Sequence, residues 1–345
     1  MKQKYILIDT LNLYYRVRHT ASRQASIDDK LGMSIHQIFM SANLAIRTIG
    51  QADHIIFAID GRKNWRKEFY KPYKRQRADA RQKRSEAEVE EDNLFFETLN
   101  NLYDFLRNST NCSVIEQETA EADDVIARWI KLHPNDDHVI ISSDSDFQQL
   151  VSENVKIFNG ITKELITLDG YFDERNKPVV DKKTKGHKIL KDPNWLLFEK
   201  CMRGDKSDNV FSAYPGVRTN GTKNKVGLIE AFADKDKKGY SWNNIQLHRW
   251  MDHDNKEHKV LDDYNRNVTL IDLDAQPQDI KDSVDLTIIN TLLIDVYKHI
   301  APSKVTFKFM KFCNTHDLVN LAKYSDNVIK WLSKPYKGEI VNVNN

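Results

Sequence analysis

The chain has 345 residues, more than one hydrophobic core usually organises, so two domains, or one domain with a large appendage, are expected. Apolar residues supply 40% and charged residues 30%, a balance that excludes a disordered, fibrous or membrane-embedded chain. The 52 Lys and Arg against 50 Asp and Glu leave a net charge of +2 that hides a marked local asymmetry.

Tyr5-Ile-Leu-Ile-Asp9 is the first predicted strand, a short β-branched apolar run. It lacks the basic and long apolar regions of an export signal, and no later run reaches the ~18 residues of a membrane span, so a cytoplasmic protein is expected. His54-Ile-Ile-Phe-Ala-Ile-Asp60 is the second strand. From Arg62 to Arg84 the chain then carries eleven Lys and Arg against only Glu68 and Asp79, a net +9 that leaves −7 for the remainder. A basic run alone is most often a solvated face. Here Trp65, Phe69, Tyr70 and Tyr73 interleave with it, the mix that neutralises phosphates and stacks bases, and nucleic acid becomes the expected partner.

An acidic cluster (Glu86, Glu88, Glu90, Glu91 and Asp92) follows, then helical spacing over Glu88–Leu106 and Ala120–Leu132. His138-Val-Ile-Ile-Ser-Ser-Asp144 is the third strand, and Val155–Phe158 and Glu164–Leu168 flank Asn159-Gly160 as a hairpin. The Lys-rich stretch Asp169–Asp192 reads as a loop or linker. From Pro193 onward the pattern is mainly helical, apart from a strand-like Val268–Ile271; Ile288–Ile300 has helical spacing, and Lys304–Lys311 mixes Lys with Phe307 and Phe309. Cys112, Cys201 and Cys313 show neither disulfide nor zinc spacing. Strands alternating with helices, near-continuously apolar, predict an α/β fold with a parallel sheet covered on both faces.

All three strands end in aspartate. Each alone could cap the following helix. Together they point to the crevice beyond the carboxyl ends of a parallel sheet, where Asp9, Asp60 and Asp144 would converge. Glu121-Ala-Asp-Asp124 places Glu121 and Asp124 on one helix face with Asp123 on its flank, Asp144-Ser-Asp146 adds another acid, and Gly204-Asp205-Lys-Ser-Asp208 supplies a further i, i+3 pair. Nine carboxylates sharing a site would repel, each pair at about 4 Å by roughly 4 kcal/mol at an effective dielectric of 20. Divalent cations are the natural counter-charge. Oxygen ligands without His or Cys select Mg²⁺, with Mn²⁺ as substitute, and their number suits two ions that assist phosphodiester hydrolysis.

The order of these motifs resembles the 5′-nuclease (flap endonuclease) superfamily, most closely its branch of T-even-type bacteriophage ribonucleases H, which are 5′→3′ exonucleases. The resemblance spans roughly residues 3 to 275. It rests on Ile8-Asp9-Thr-Leu-Asn12 with Tyr15-Arg16, Ile59-Asp60-Gly61, Tyr73-Lys74-Arg75-Gln76-Arg77, Glu121-Ala-Asp-Asp124, Ser143-Asp144-Ser-Asp146 and Arg203-Gly-Asp-Lys-Ser-Asp-Asn209. It implies a PIN-like α/β nuclease domain over 1–200, with residues 62–92 as a helical arch, and a mainly helical duplex-binding region over 201–345. It further implies Asp60, Asp123 and Asp144 around a first metal with Asp9 and Glu121 nearby, and Asp146, Asp205 and Asp208 around a second with Asp124 close by. Lys74 and Arg77 would hold the scissile phosphate, and Asp60, Asp123, Asp144 and Asp146 would form the catalytic centre with them. Arg66 would contact the passing strand, Tyr73 would stack on an unpaired base, and Arg16 would contact phosphate.

After Asp208, only half of the family's helix-turn-helix is recognisable. Arg218, Lys223 and Lys225 are expected phosphate contacts there, with backbone amides of the turn assisting. The resemblance therefore implies an enzyme that removes RNA primers and adjacent DNA from lagging-strand fragments and cleaves flaps. Its substrates would be RNA–DNA hybrids and branched or nicked duplexes with a free 5′ end. A monomer is expected, with a single-strand-binding protein as a partner. The rival readings are a PIN-like single-strand ribonuclease and a structural nucleic-acid-binding protein with a non-catalytic ion site.

Overall fold

The computed structural model describes residues 2–20 and 26–339. The chain divides into two compact units, one made of Met1–Asn64, Arg84–Leu190 and Asp279–Asn345, the other of Trp65–Lys83 and Lys191–Gln278. Among the described residues no helix is long and apolar enough to cross a membrane.

The first unit is built on a seven-stranded sheet of β1 (Lys4–Asp9), β2 (His54–Ile59), β3 (Ser113–Glu116), β4 (Asp137–Ile141), β5 (Val155–Asn159), β6 (Glu164–Thr167) and β7 (Gly170–Phe172), in the order β3-β2-β1-β4-β5-β6-β7. Strands β1 to β5 are parallel, with Tyr5 opposite both His54 and His138, while β6 and β7 return antiparallel. The α/β fold with a mostly parallel sheet is as expected. Burial on both faces explains why β1 and β2 are apolar throughout rather than alternating. Long helices flank the sheet: Ile27–Ile49 starts on a Ser26/Asp29 capping box and Glu86–Ser109 on a Ser85/Glu88 one. The four-residue β3 was not anticipated, being too short to show a pattern.

The C-terminal residues differ from a division near residue 200. The helices Pro302–Thr315 and Ser325–Leu332 put Val305, Phe309, Phe312, Trp331 and Leu332 into the same core as Ile6, Ile8 and Phe57, so they complete the sheet-bearing unit. Asn111 fastens them. Its side-chain amide donates to the carbonyls of Ile300 and Ser333 (3.0 and 2.7 Å), its side-chain oxygen accepts from the Ile300 amide, and its own backbone amide donates to Leu332. Phe309 of the Lys304–Lys311 stretch is core, whereas Phe307 is 68% exposed.

The second unit packs the segment from Trp65 with the helices Pro193–Arg203, Leu228–Ala233, Tyr240–Gln246 and Val260–Ile271, around Phe198, Met202, Leu228, Trp242 and Tyr264. A small hairpin, β8 (Arg249–Met251) and β9 (Glu257–Lys259), precedes the last helix. Val268–Ile271 is not a strand but the end of that helix. Its buried positions Val260, Asp263, Tyr264, Asn267, Leu270 and Ile271 follow helical spacing that a four-residue window conceals.

Candidate active site

Adjacent strands β2, β1 and β4 bring Asp60, Asp9 and Asp144 to the carboxyl-end crevice of the first unit. Two residues whose roles the motif reading left unassigned tie the strand ends together. Ser142 donates its hydroxyl to Asp9 Oδ2 (2.8 Å) and accepts from the Asp144 amide (3.0 Å). Asn12 accepts on Oδ1 from both the amide and the hydroxyl of Ser143 (3.1 and 2.8 Å), while its own amide reaches Asp9 Oδ1 at 3.4 Å. The Asp144 carboxylate in turn accepts from the Asp146 amide (2.9 Å), which fixes the start of a short 3₁₀ turn.

The helix Ala122–Leu132 supplies the other acids of this unit. Asp60 Oδ1 accepts from the Ala122 amide (2.7 Å), so the end of β2 is joined to the first helical turn. Asp124 is fully buried and its carboxylate accepts from the Glu121 amide (3.1 Å), while Asp123 accepts from the Asp124 amide (2.7 Å). Gly61 makes this approach feasible. Its amide donates to Ala120 O, and a Cβ at this position would lie 2.1 Å from Gln117 O and 2.4 Å from Glu118 O. The same helix is braced further along by a two-pronged Arg128–Asp285 ion pair (2.7 and 2.6 Å).

Burial pushes the Asp9 carboxyl up to about 7, assisted by the negative charges of Asp60 and Asp144; the Ser142 hydroxyl and the Asn12 amide pull the other way. Asp9 therefore senses the charge of both other strand-end acids. A hard divalent cation suits such a set of carboxylate oxygens, because it offsets the repulsion that adds to burial in raising Asp9. Among the described residues, however, no group of three or more acid, imidazole or thiol side chains is drawn together as a ready ligand set. Arg16 lies exposed on the helix Thr10–Thr20 that leaves this crevice.

Asp205 and Asp208 belong to the second unit and have cationic neighbours within it. Burial raises the Asp205 carboxyl, but Lys200 Nζ at 2.6 Å and the amide and hydroxyl of Ser207 outweigh that and hold it below the usual range. Asp208 accepts from Tyr73 Oη (3.0 Å) and Arg77 Nη2 (2.7 Å), with Lys74 Nζ 3.5 Å away. The turn holding both acids needs Gly204, at φ +73 and with a Cβ position only 2.3 Å from Val210 O.

Two expected nucleic-acid contacts are corrected by this packing. Arg66 is 1% exposed and donates Nε to Leu270 O (3.0 Å), so it ties the unit's interior together and cannot track a passing strand. Tyr73 is 4% exposed with its hydroxyl on Asp208, so its ring is part of the core and not a base platform. Arg218, Lys223 and Lys225 are exposed. Within their turn the Gly221 and Gly227 amides are already taken, because the Glu230 carboxylate accepts from both.

Carboxylates are gathered at the parallel strand ends beside an acidic helix start, and comparison with known proteins gives the family. A model described as 5′-3′ exonuclease, N-terminal resolvase-like domain, matches residues 4–182, just over half of the chain. The chain belongs to that family of nucleases, which includes flap endonucleases. It is 27% identical over 240 residues to flap endonuclease Xni of Pseudoalteromonas translucida, covering 68% of this chain and 80% of that one. It is 28% identical over 278 residues to ribonuclease H of Enterobacteria phage T4, covering 74% and 76%. The crystal structure of T5 D15 protein co-crystallized with metal ions shares the fold, with a TM-score of 0.53 and 20% identity over 84% of this chain and 99% of that one.

Proposed function

We propose that the chain is a Mg²⁺-dependent 5′→3′ exonuclease with flap endonuclease activity, which removes RNA primers and adjacent DNA from lagging-strand fragments. The observation that carries this reading is the convergence of Asp9, Asp60 and Asp144 on one crevice, with Asp9 pushed up to about 7 by burial and, further, by the charges of Asp60 and Asp144. Asp60, Asp123 and Asp144, with Asp9 and Glu121, would hold a divalent ion. Such an ion lowers the pKa of a bound water and stabilises the oxygens of a phosphodiester undergoing in-line displacement. The residues around it orient: Ser142 and Asn12 hold the strand ends, and Gly61 lets Asp60 meet the helix start.

A second ion would draw on Asp205 and Asp208, which must exchange Lys200, Lys74 and Arg77 for it. That exchange would free Lys74 and Arg77 to hold a phosphate, so loading and substrate capture are coupled in this reading. RNA–DNA hybrids and branched duplexes with a free 5′ end are the proposed substrates, in keeping with a ribonuclease H of phage T4 and a flap endonuclease of phage T5 among the relatives. The test is cleavage of a 5′-labelled RNA-primed duplex beside the same duplex with a 5′ DNA flap, each with Mg²⁺ and with chelator. Short 5′ products from both, lost under chelation, are expected. Cleavage of the flap alone would remove the primer role, and no cleavage of either would leave a binding protein. Asp146→Asn is expected to retain binding and lose turnover roughly 100-fold.

A further inference from the structure

We propose that the ribbon beyond β7 is a second nucleic-acid contact of the first unit, one that grips duplex phosphates; this rests on the reading of the chain as a nuclease. The Lys-rich stretch expected to be a loop is ordered. Tyr171 and Val179 amides donate to Lys188 O and Tyr171 O, and the Lys188 amide donates to Val179 O, all at 2.8 to 2.9 Å. At the tip, Asp181 and Gly186 close the turn, and Asp181 Oδ1 accepts from the amides of Lys183 and Thr184 at 2.8 Å each. The ribbon therefore presents its side chains from a fixed frame, and little order has to be gained on binding.

Charge distribution within the ribbon separates framework from contact. Between Arg175 and Lys188 there are six Lys and Arg against Asp181 alone, a net +5. Lys188 is used internally, paired with Glu164 at 3.0 Å and lying over the Tyr171 ring at 3.8 Å. Lys182, Lys183 and Lys185 are exposed and make no ion pair among the described residues, and the one carboxylate beside them is held by the turn's own amides. No aromatic side chain stands at the tip, so it offers nothing for bases to stack on, as a single-strand platform would need. A convex knob of three lysines matches closely spaced phosphates of a duplex, where contacts position without reading sequence.

The test is equilibrium binding of a 5′-flap duplex, and of a single strand of equal length, under chelation and across a salt series. Wild type is compared with Lys182→Ala/Lys183→Ala/Lys185→Ala and with the corresponding triple Arg variant. Loss of three duplex contacts is expected to flatten the slope of log K against log salt by about 2 to 3, with the Arg variant matching wild type. The cleavage rate at saturating substrate, measured with Mg²⁺, is expected to stay unchanged in both. Equal slopes for wild type and the Ala variant would overturn the ribbon's role while leaving the nuclease intact. A loss confined to the single strand would overturn the duplex assignment, and a wild type that neither binds nor cleaves would remove both readings together.

Discussion

Asp9 shows how an acid of the proposed metal site is set against stability. Its folded carboxyl titrates near 7, above the 3.8 of an unstructured aspartate, so the folded state binds the extra proton between those values. Metal-free stability therefore falls as pH rises through about 4 to 7 on account of this group. Asp9→Asn is expected to stabilise the metal-free protein at pH 8 by about 2 kcal/mol while abolishing cleavage, which thermal melts and the labelled-duplex assay will read side by side. Gly61 is a second case. A methyl there meets Gln117 O at 2.1 Å, so Gly61→Ala must shift the Asp60 turn against the helix bearing Glu121. Rate is expected to drop roughly 100-fold, as a displacement of about 1 Å can cause, with substrate affinity nearly unchanged; a parallel loss of affinity would contradict this. The acids of the first unit were legible because each follows an apolar run or lies at a helix start, whereas Asp205 and Asp208, read from their spacing as a helix start, lie in a turn. Ser142 and Asn12 were not, since their role lies in bonds to partners 133 and 131 positions away.

Among the elements, β1, β2 and β4 could be read directly, each an apolar run leading to an acid, directly in β1 and β2 and after Ser142-Ser143 in β4. β3 could not, because four residues carry no period and its place is secured by polar neighbours: Ser113 Oγ meets His54 Nε2 at 2.8 Å and donates to Asp295 Oδ2 at 2.6 Å. The C-terminal helices were visible as helices, yet amphipathic spacing does not say which sheet they cover. Asn111 supplies that information through its bonds to residues 300, 332 and 333. Asn111→Ala leaves the carbonyls of Ile300 and Ser333 and the amide of Ile300 without these bonds in a largely buried setting. A loss of about 3 kcal/mol in urea unfolding is expected, and an unchanged midpoint would show that water replaces the amide.

For the whole molecule, acid tolerance follows from histidines at the starts of two central strands. Burial holds both His54 and His138 down to about 4, whereas in the unfolded chain each takes a proton near 6.5. Their contribution is complete above pH 6.5 and is lost as pH falls toward 4, on the order of 3 kcal/mol each at the low end. Asp9 acts in the opposite sense over much the same range, but two groups oppose one. The metal-free protein is expected to lose stability on acidification, and the Asp9→Asn variant to lose it more steeply; melts between pH 8 and pH 5 will show whether the two curves diverge in that order.

The interleaving of the two units has a consequence for synthesis. The C-terminal helices that complete the core over β1 and β2, which the helices Ile27–Ile49 and Glu86–Ser109 begin, follow those strands by some 250 to 300 residues, and the second unit is not complete until residue 278. A nascent chain thus carries a sheet whose core is only partly closed until the residues beyond 300 have been made, and a ribosome stalled at residue 278 would hold an aggregation-prone intermediate in place of a folded nuclease.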